Sequence, residues 1–96
     1  MWYVYILKSR YFPKSYVGCT NNIERRLKEH NDGKSIFTKR YQPWNLIKTE
    51  IFNDCKTAKK REKFYKSGIG RKKLKEIFYK LPGRLMAGHI PLKDDI

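Results

Sequence analysis

Trp2 to Leu7 read Trp-Tyr-Val-Tyr-Ile-Leu, an unbroken run of aromatic, β-branched and aliphatic side chains. Side chains alternate between faces along a strand, so such a run is apolar on both sides and has to be covered on both. It lacks helical spacing, and its six residues are too few for a signal-peptide core or for the ~20 residues of a membrane-spanning helix. The chain has 96 residues, of which 40% are hydrophobic and 15% aromatic. That length suits one domain, and the apolar fraction supplies a modest core without disulfides or a structural metal and excludes wholesale disorder. Cys19, Cys55, His30 and His89 are too scattered for a local zinc-ligand spacing, and a pair of cysteines is no disulfide framework. Both thiols are expected to be buried. The expectation is a soluble, cytoplasmic protein with no membrane partner.

Ser9 to Lys14 contains Pro13 and charged residues, and Ser15 to Cys19 is extended in character, so the two runs predict a hairpin with a longer loop. Asn21 with Glu24 three residues on resembles a capping box, and Ile23 and Leu27 give the apolar stripe of a helix that stops at Asn31-Asp32-Gly33. Residues 34 to 44 follow neither period and read as an ordered basic loop. Thr38, Lys39, Arg40 and Tyr41 in that loop are expected to contact substrate. Asn45 to Phe52 fits a third strand, and Asp54 is the next N-cap. From there Cys55, Ala58, Glu62, Tyr65 and Ile69 fall on one helical face until Gly68 and Gly70 break it. A further helix carries Leu74, Ile77, Phe78 and Leu81 as its stripe and ends at Pro82-Gly83. Residues 81 to 96 have little pattern and are expected to be a partly flexible tail on a domain spanning 1 to 80. No internal repeat or low-complexity tract is present.

Lys and Arg number 23 against 9 Asp and Glu, for a net charge of +14. Between Lys56 and Lys80 eleven cations face two carboxylates, so +9 of that charge sits in this one stretch. Exposed helix faces commonly carry Lys and Arg, which accounts for their location but not for their excess. Self-repulsion of this size opposes folding of a small domain, and phosphates relieve it, so nucleic acid is the expected partner. The cations assigned to it are Lys39, Arg40, Lys59, Lys60, Lys63, Lys66, Arg71, Lys72 and Lys73. Were about five of them to meet duplex phosphates, log affinity would fall against log salt with a slope of about −4.5. Glu62 is a carboxylate on an otherwise apolar stripe. It is either paired with a neighbouring cation as a structural group, or it is a hard oxygen ligand for Mg²⁺, and residue chemistry leaves both open.

Strand one holds Tyr3-Val4-Tyr5, strand two holds Tyr16-Val17-Gly18, and a helix with Arg26 and His30 follows directly. With Glu62 on a later helix, this ordered set resembles the GIY-YIG nuclease family over about residues 2 to 80, and most of all its small stand-alone bacterial members. Tyr5 fits the tyrosine of the first motif, Tyr16 and Gly18 match the second, Arg26 and His30 fit the family's helix, and Glu62 fits its metal-binding glutamate. The chain departs from the family in the first two residues of the first triplet, and it has Leu81-Pro82 where an asparagine often precedes the proline.

The resemblance implies an α+β fold, a small three-stranded antiparallel sheet flanked by three or more helices. It also implies an endonuclease that hydrolyses DNA phosphodiester bonds with one divalent ion, Mg²⁺ with Mn²⁺ as its substitute, held by Glu62. Such a reaction needs a base for the water and cations near the equatorial and leaving oxygens. Tyr5 and Tyr16 are the candidate bases, with Tyr16 preferred and with the pKa of about 10 expected to fall beside Arg26 and a metal. Arg26 would orient water and phosphate, and His30 would either donate to phosphate, move a proton, or simply cap the helix end. The alternative function is a non-catalytic DNA- or RNA-binding module on the same scaffold. A protein partner supplying targeting and the oligomeric state are left open by the residues, and His89 is read as incidental.

Overall fold

The structure is a computed structural model, and it describes residues 1–80. The expected tail at 81–96, with Leu81-Pro82 and His89, lies outside the described residues. The elements in order are β1 (Trp2–Ser9), β2 (Ser15–Thr20), α1 (Ile23–Asn31), α2 (Ile36–Lys39), β3 (Trp44–Phe52), α3 (Cys55–Tyr65) and α4 (Gly68–Tyr79). The sheet is three-stranded and antiparallel in the order β2-β1-β3, the α+β architecture expected.

β1 is the middle strand, which is why its run is apolar on both faces. Val4 and Ile6 turn to one side and pack with Val17, Ala58, Tyr65 and Leu74 beneath α3 and α4. Tyr5 and Leu7 turn to the other side and pack with Trp44, Tyr16, Ile23 and Leu27 beneath α1. Val4, Ile6 and Leu7 are wholly buried, and each contributes about 1.5–3 kcal/mol by leaving water. A β-bulge between Ile6 and Leu7 in the pairing with β3 takes up the extra residue Ile47.

Five details differ from the sequence reading. The cap of α1 is Asn22 rather than Asn21, its side chain accepting from the Arg25 N–H at 3.0 Å. β2 runs on to Thr20, whose hydroxyl accepts the Asn22 N–H at 3.1 Å and so fixes the residue at which extended backbone gives way to helix. Residues 34 to 44 are not all loop, since Ile36–Lys39 form the short helix α2, too brief to show a period. Ile69 does not share the face of α3. The chain restarts at the Ser67 cap and leaves Ile69 74% exposed in α4. Gly70, expected as a breaker, lies in the first turn of α4 against the Phe64 carbonyl, where a Cβ would collide with backbone, so it is the residue that lets α4 close on α3. Asp54 caps α3 as expected, accepting from the Thr57 N–H at 2.9 Å.

Candidate active site

Tyr5 on β1 lies opposite Gly18 on β2. The phenol crosses directly over the glycine, where a Cβ would overlap Oη and Cζ and come within 2.9 Å of Cε1. Gly18 is thus the floor on which Tyr5 rests. Tyr16, two residues earlier on the same face of β2, brings its ring centroid to 6.2 Å from that of Tyr5.

α1 delivers the next groups. Arg26 and His30 are one turn apart and both face the sheet. Arg26 Nε donates to Tyr5 Oη at 3.3 Å, and its Nη1 is held by Glu29 Oε1 at 2.8 Å. His30 is fully buried. Its Nε2 is 2.9 Å from Tyr5 Oη, its Nδ1 is 2.7 Å from Thr38 Oγ1 on α2, and its ring centroid is 4.9 Å from that of Tyr16. His30 therefore neither caps the helix end nor faces solvent. Thr38 is fully buried too, so it is no surface contact for substrate, unlike the exposed Lys39 and Arg40 beside it.

Electrostatics follow from this enclosure. Burial pushes the Tyr5 phenol up to about 12, outweighing the Arg26 hydrogen bond that acts in the other direction. The fall expected for a tyrosine beside Arg26 is thus reversed at Tyr5 in the protein alone. Burial, assisted by the Arg26 charge, lowers His30 to about 4, so its imidazole is neutral near pH 7. The Arg26 guanidinium is driven further toward its charged form, chiefly by its hydrogen bond to Glu29.

Glu62 comes from α3, on the other side of the sheet. Its side chain is 24% exposed, and Oε2 accepts from Lys66 Nζ at 2.8 Å. The same Nζ lies 5.7 Å from the centroid of the Tyr16 ring, so Lys66 ties the carboxylate to the phenol across the β2 edge. Glu62 is near enough to Tyr5 and Cys19 for its charge to raise both, as a lesser effect than burial. Both readings of Glu62 thus meet in one place, since it is ion-paired and also adjacent to the phenols. Among the described residues no group of three or more His, Cys, Asp or Glu could enclose a metal. A single carboxylate that is 24% exposed fits Mg²⁺, which keeps its waters and takes substrate phosphates as ligands, and does not fit an ion that needs a closed protein cage.

A cleft of about 740 Å³ opens from Tyr16 toward α4. Lys14, Lys66, Arg71, Lys72 and Lys75 line it, with Phe37 on one wall, and among the described residues no carboxylate does. Of the cations assigned to nucleic acid, Lys66, Arg71 and Lys72 line this cleft, whereas Lys39, Arg40, Lys59, Lys60, Lys63 and Lys73 do not. Lys14 and Lys75 join it unannounced by the sequence, because the hairpin loop and α4 meet only in three dimensions. Glu29 likewise escapes sequence reasoning, and Thr38 enters it only as a substrate contact, not as a buried partner of His30. The i, i+3 spacing of Glu29 from Arg26 was the one available sign. Cys19 and Cys55 are half-buried rather than buried, and burial pushes the Cys19 thiol up, with the neighbouring Cys55 adding to the rise. Among the described residues no helix is long and apolar enough to cross a membrane.

Comparison with known proteins agrees with this arrangement. Residues 1–75 match the family described as the GIY-YIG catalytic domain. A UPF0213 protein of Clostridium perfringens is 38% identical over 76 residues, covering 78% of this chain and 81% of its own. A UPF0213 protein of Staphylococcus haemolyticus is 38% identical over 76 residues, covering 78% of this chain and 92% of its own. The UPF0213 protein YazA of Bacillus subtilis is 41% identical over 64 residues, covering 66% of this chain and 63% of its own. No solved structure matches the chain. The two tyrosine motifs on a paired hairpin, the helix that follows them and a match running from residue 1 to 75 make this chain a member of the GIY-YIG family.

Proposed function

We propose that this protein is a divalent-metal-dependent endonuclease that hydrolyses DNA phosphodiester bonds. The observation that carries the reading is that Tyr5, Tyr16 and Arg26 meet on one side of the sheet while Lys66 joins Glu62 to Tyr16, and that Tyr16 and Lys66 line a cleft holding cations and, among the described residues, no carboxylate. A polyanion is drawn into such a cleft, and lysine and arginine contacts of this kind fix its position without reading its sequence.

In this reading a phosphodiester lies along Lys66, Arg71 and Lys72 with its scissile group beside Tyr16. Arg26 has its Nε on Tyr5 and Nη1 on Glu29, which pins the guanidinium plane and leaves its remaining N–H groups to a phosphate oxygen. One tyrosine of the Tyr5–Tyr16 pair, as its phenolate, accepts the proton of the attacking water and becomes the neutral phenol. Tyr16 reaches the cleft, and Tyr5 is 2% exposed with its oxygen engaged by Arg26 and His30. Glu62 would hold the metal, exchanging its ion pair with Lys66 for it and freeing that ammonium for phosphate. A bound Mg²⁺ supplies positive charge to the equatorial and leaving oxygens. His30, neutral and enclosed, acts through Tyr5 as a positioning group.

The test is incubation of wild type and Glu62→Ala with supercoiled plasmid and labelled branched DNA, in Mg²⁺, Mn²⁺ or EDTA. Wild-type cleavage that is lost in EDTA and in the variant, with DNA binding retained by the variant, is the expected result. Cleavage by Glu62→Ala in a clean preparation would overturn the metal assignment. Tight, salt-sensitive binding with no cleavage in any metal would favour the non-catalytic module instead.

A further inference from the structure

We propose that Phe37 and Phe12 form a stacking platform for unpaired nucleobases, so that the strand entering beside Tyr16 is one whose bases are free of a duplex. The consequence for cleavage rests on the nuclease reading above, while the binding stands on the arrangement of rings and cations.

Four aromatic rings from separate segments make a row that starts in the cleft and leaves it. Tyr16 on β2 lies 6.0 Å from Phe37 on α2, Phe37 lies 5.8 Å from Tyr41, and Tyr41 lies 5.4 Å from Phe12 in the hairpin loop, between ring centroids. Phe37 is 53% exposed and Phe12 40%, whereas Tyr16 and Tyr41 beside them are half-buried. The row is held from beneath. Ser9, wholly buried, donates its hydroxyl to the Tyr41 carbonyl at 2.6 Å and accepts the Phe12 N–H at 3.2 Å. Lys8 Nζ donates to the Phe12 carbonyl at 3.2 Å, and the Tyr41 N–H donates to the Thr38 carbonyl on α2 at 3.1 Å. Two phenylalanine faces are thus fixed in water before any partner arrives, which is unfavourable for the protein alone and reduces the ordering a partner must impose.

Charge says what covers them. Lys14 Nζ lies 5.4 Å from the Tyr41 centroid, Lys66 Nζ lies 5.7 Å from that of Tyr16, and Lys39 and Arg40, which follow Phe37 closely in the chain, are exposed. An apolar protein surface laid on the rings would have to strip water from these cations without supplying anions. A nucleic-acid strand brings a phosphate for the cation and an aromatic face for the ring at each step. Bases inside a duplex have their faces covered by one another, and only unpaired ones can lie on a side chain. The ring spacing of 5.4–6.0 Å also exceeds the ~3.4 Å between stacked bases of a duplex strand, so it suits bases drawn apart. Tyr16, Phe37 and Lys14 all line the cleft, which puts a base on Phe37 next to the phosphate that Tyr16 meets.

The experiment measures binding in EDTA by fluorescence anisotropy with three labelled probes: a single strand of mixed sequence, the same strand with abasic sites throughout, and a duplex of equal length. The abasic strand keeps every phosphate and lacks every base. Wild type is expected to bind the intact strand at least about tenfold more tightly than the abasic one. Phe12→Leu/Phe37→Leu keeps apolar bulk without an aromatic face, and is expected to abolish that difference while leaving duplex affinity and the salt slope unchanged, since no phosphate contact is lost. Phe37→Trp is expected to retain it. Equal wild-type affinity for intact and abasic strands would overturn the proposal without recourse to any variant, and so would a difference that survives in the folded double leucine variant. In cleavage assays the leucine variant is expected to raise half-saturation on single-stranded or branched DNA about tenfold at unchanged turnover. Base-dependent binding with no cleavage in Mg²⁺ or Mn²⁺ would refute the nuclease reading and leave the platform standing, whereas cleavage with no base dependence would refute the platform alone.

Discussion

His30 gives the most direct quantitative prediction, because its burial converts into a stability that depends on pH. Free histidine takes up a proton near 6.5, whereas in the fold burial and Arg26 delay this to about 4. Between those values the unfolded chain holds a proton that the folded chain refuses, so stability falls as pH falls. The contribution is complete above the unfolded value and lost as pH drops through it toward the folded one. The gap corresponds to about 3 kcal/mol, at about 1.4 kcal/mol per pH unit. The perturbation is His30→Gln, whose amide can still bridge Tyr5 and Thr38 but does not titrate. Glu29, Asp32, Glu50 and Asp54 also titrate below their ordinary values through hydrogen bonds to Arg26, Lys28, Arg61 and Thr57, with burial opposing this most strongly at Glu50. They cost stability in acid as well, but equally in both proteins. Urea unfolding from about pH 7.5 to about pH 4 should therefore show the variant losing about 3 kcal/mol less than wild type. A difference that stays flat across this range, or a His30 resonance titrating near 6.5, would refute the claim that the imidazole is held neutral by enclosure.

Gly18→Ala should cost about 1–3 kcal/mol by overpacking against the Tyr5 ring, and should reduce cleavage further than stability, because the phenol has to leave Arg26 and His30. Wild-type cleavage by this variant would show that Tyr5 need not lie on the glycine. Neutralising Arg71, Lys72 and Lys75 together should flatten the log–log salt dependence of duplex binding by about 2.7, at about 0.9 per phosphate contact. Neutralising Lys59, Lys60 and Lys73, which lie outside the cleft, should flatten it less, and an equal effect from the two sets would exclude the cleft as the strand path.

The sequence by itself determined the layered sheet and most of its catalytic-looking side chains. A run apolar on both faces can only be an inner strand, and β1 is the middle one. Period-2 alternation set Tyr5 and Tyr16 on one face once the hairpin closed, and helical spacing set Arg26 beside His30. Local rules also found the Asp54 cap, because capping depends on neighbours a few residues away. What they missed is what depends on distant neighbours. The cap at Asn22 rather than Asn21 hangs on how far β2 extends, and α2 is held by Trp44 and His30 rather than by its own four residues. No spacing rule reveals that Thr38 is buried against a histidine eight positions earlier, or that Lys66 links Glu62 on one side of the sheet to Tyr16 on the other. Charge was legible as a total and as a concentration between Lys56 and Lys80, but not as a surface. Tertiary structure decided that Lys14 from the hairpin and Lys75 from α4 share a cleft with Lys66, Arg71 and Lys72. Titration was decided there as well, since side-chain chemistry makes Tyr5 an ordinary phenol and His30 an ordinary imidazole. Only the low-dielectric interior between β1, α1 and α2 pushes the first up and the second down, by penalising whichever form carries charge.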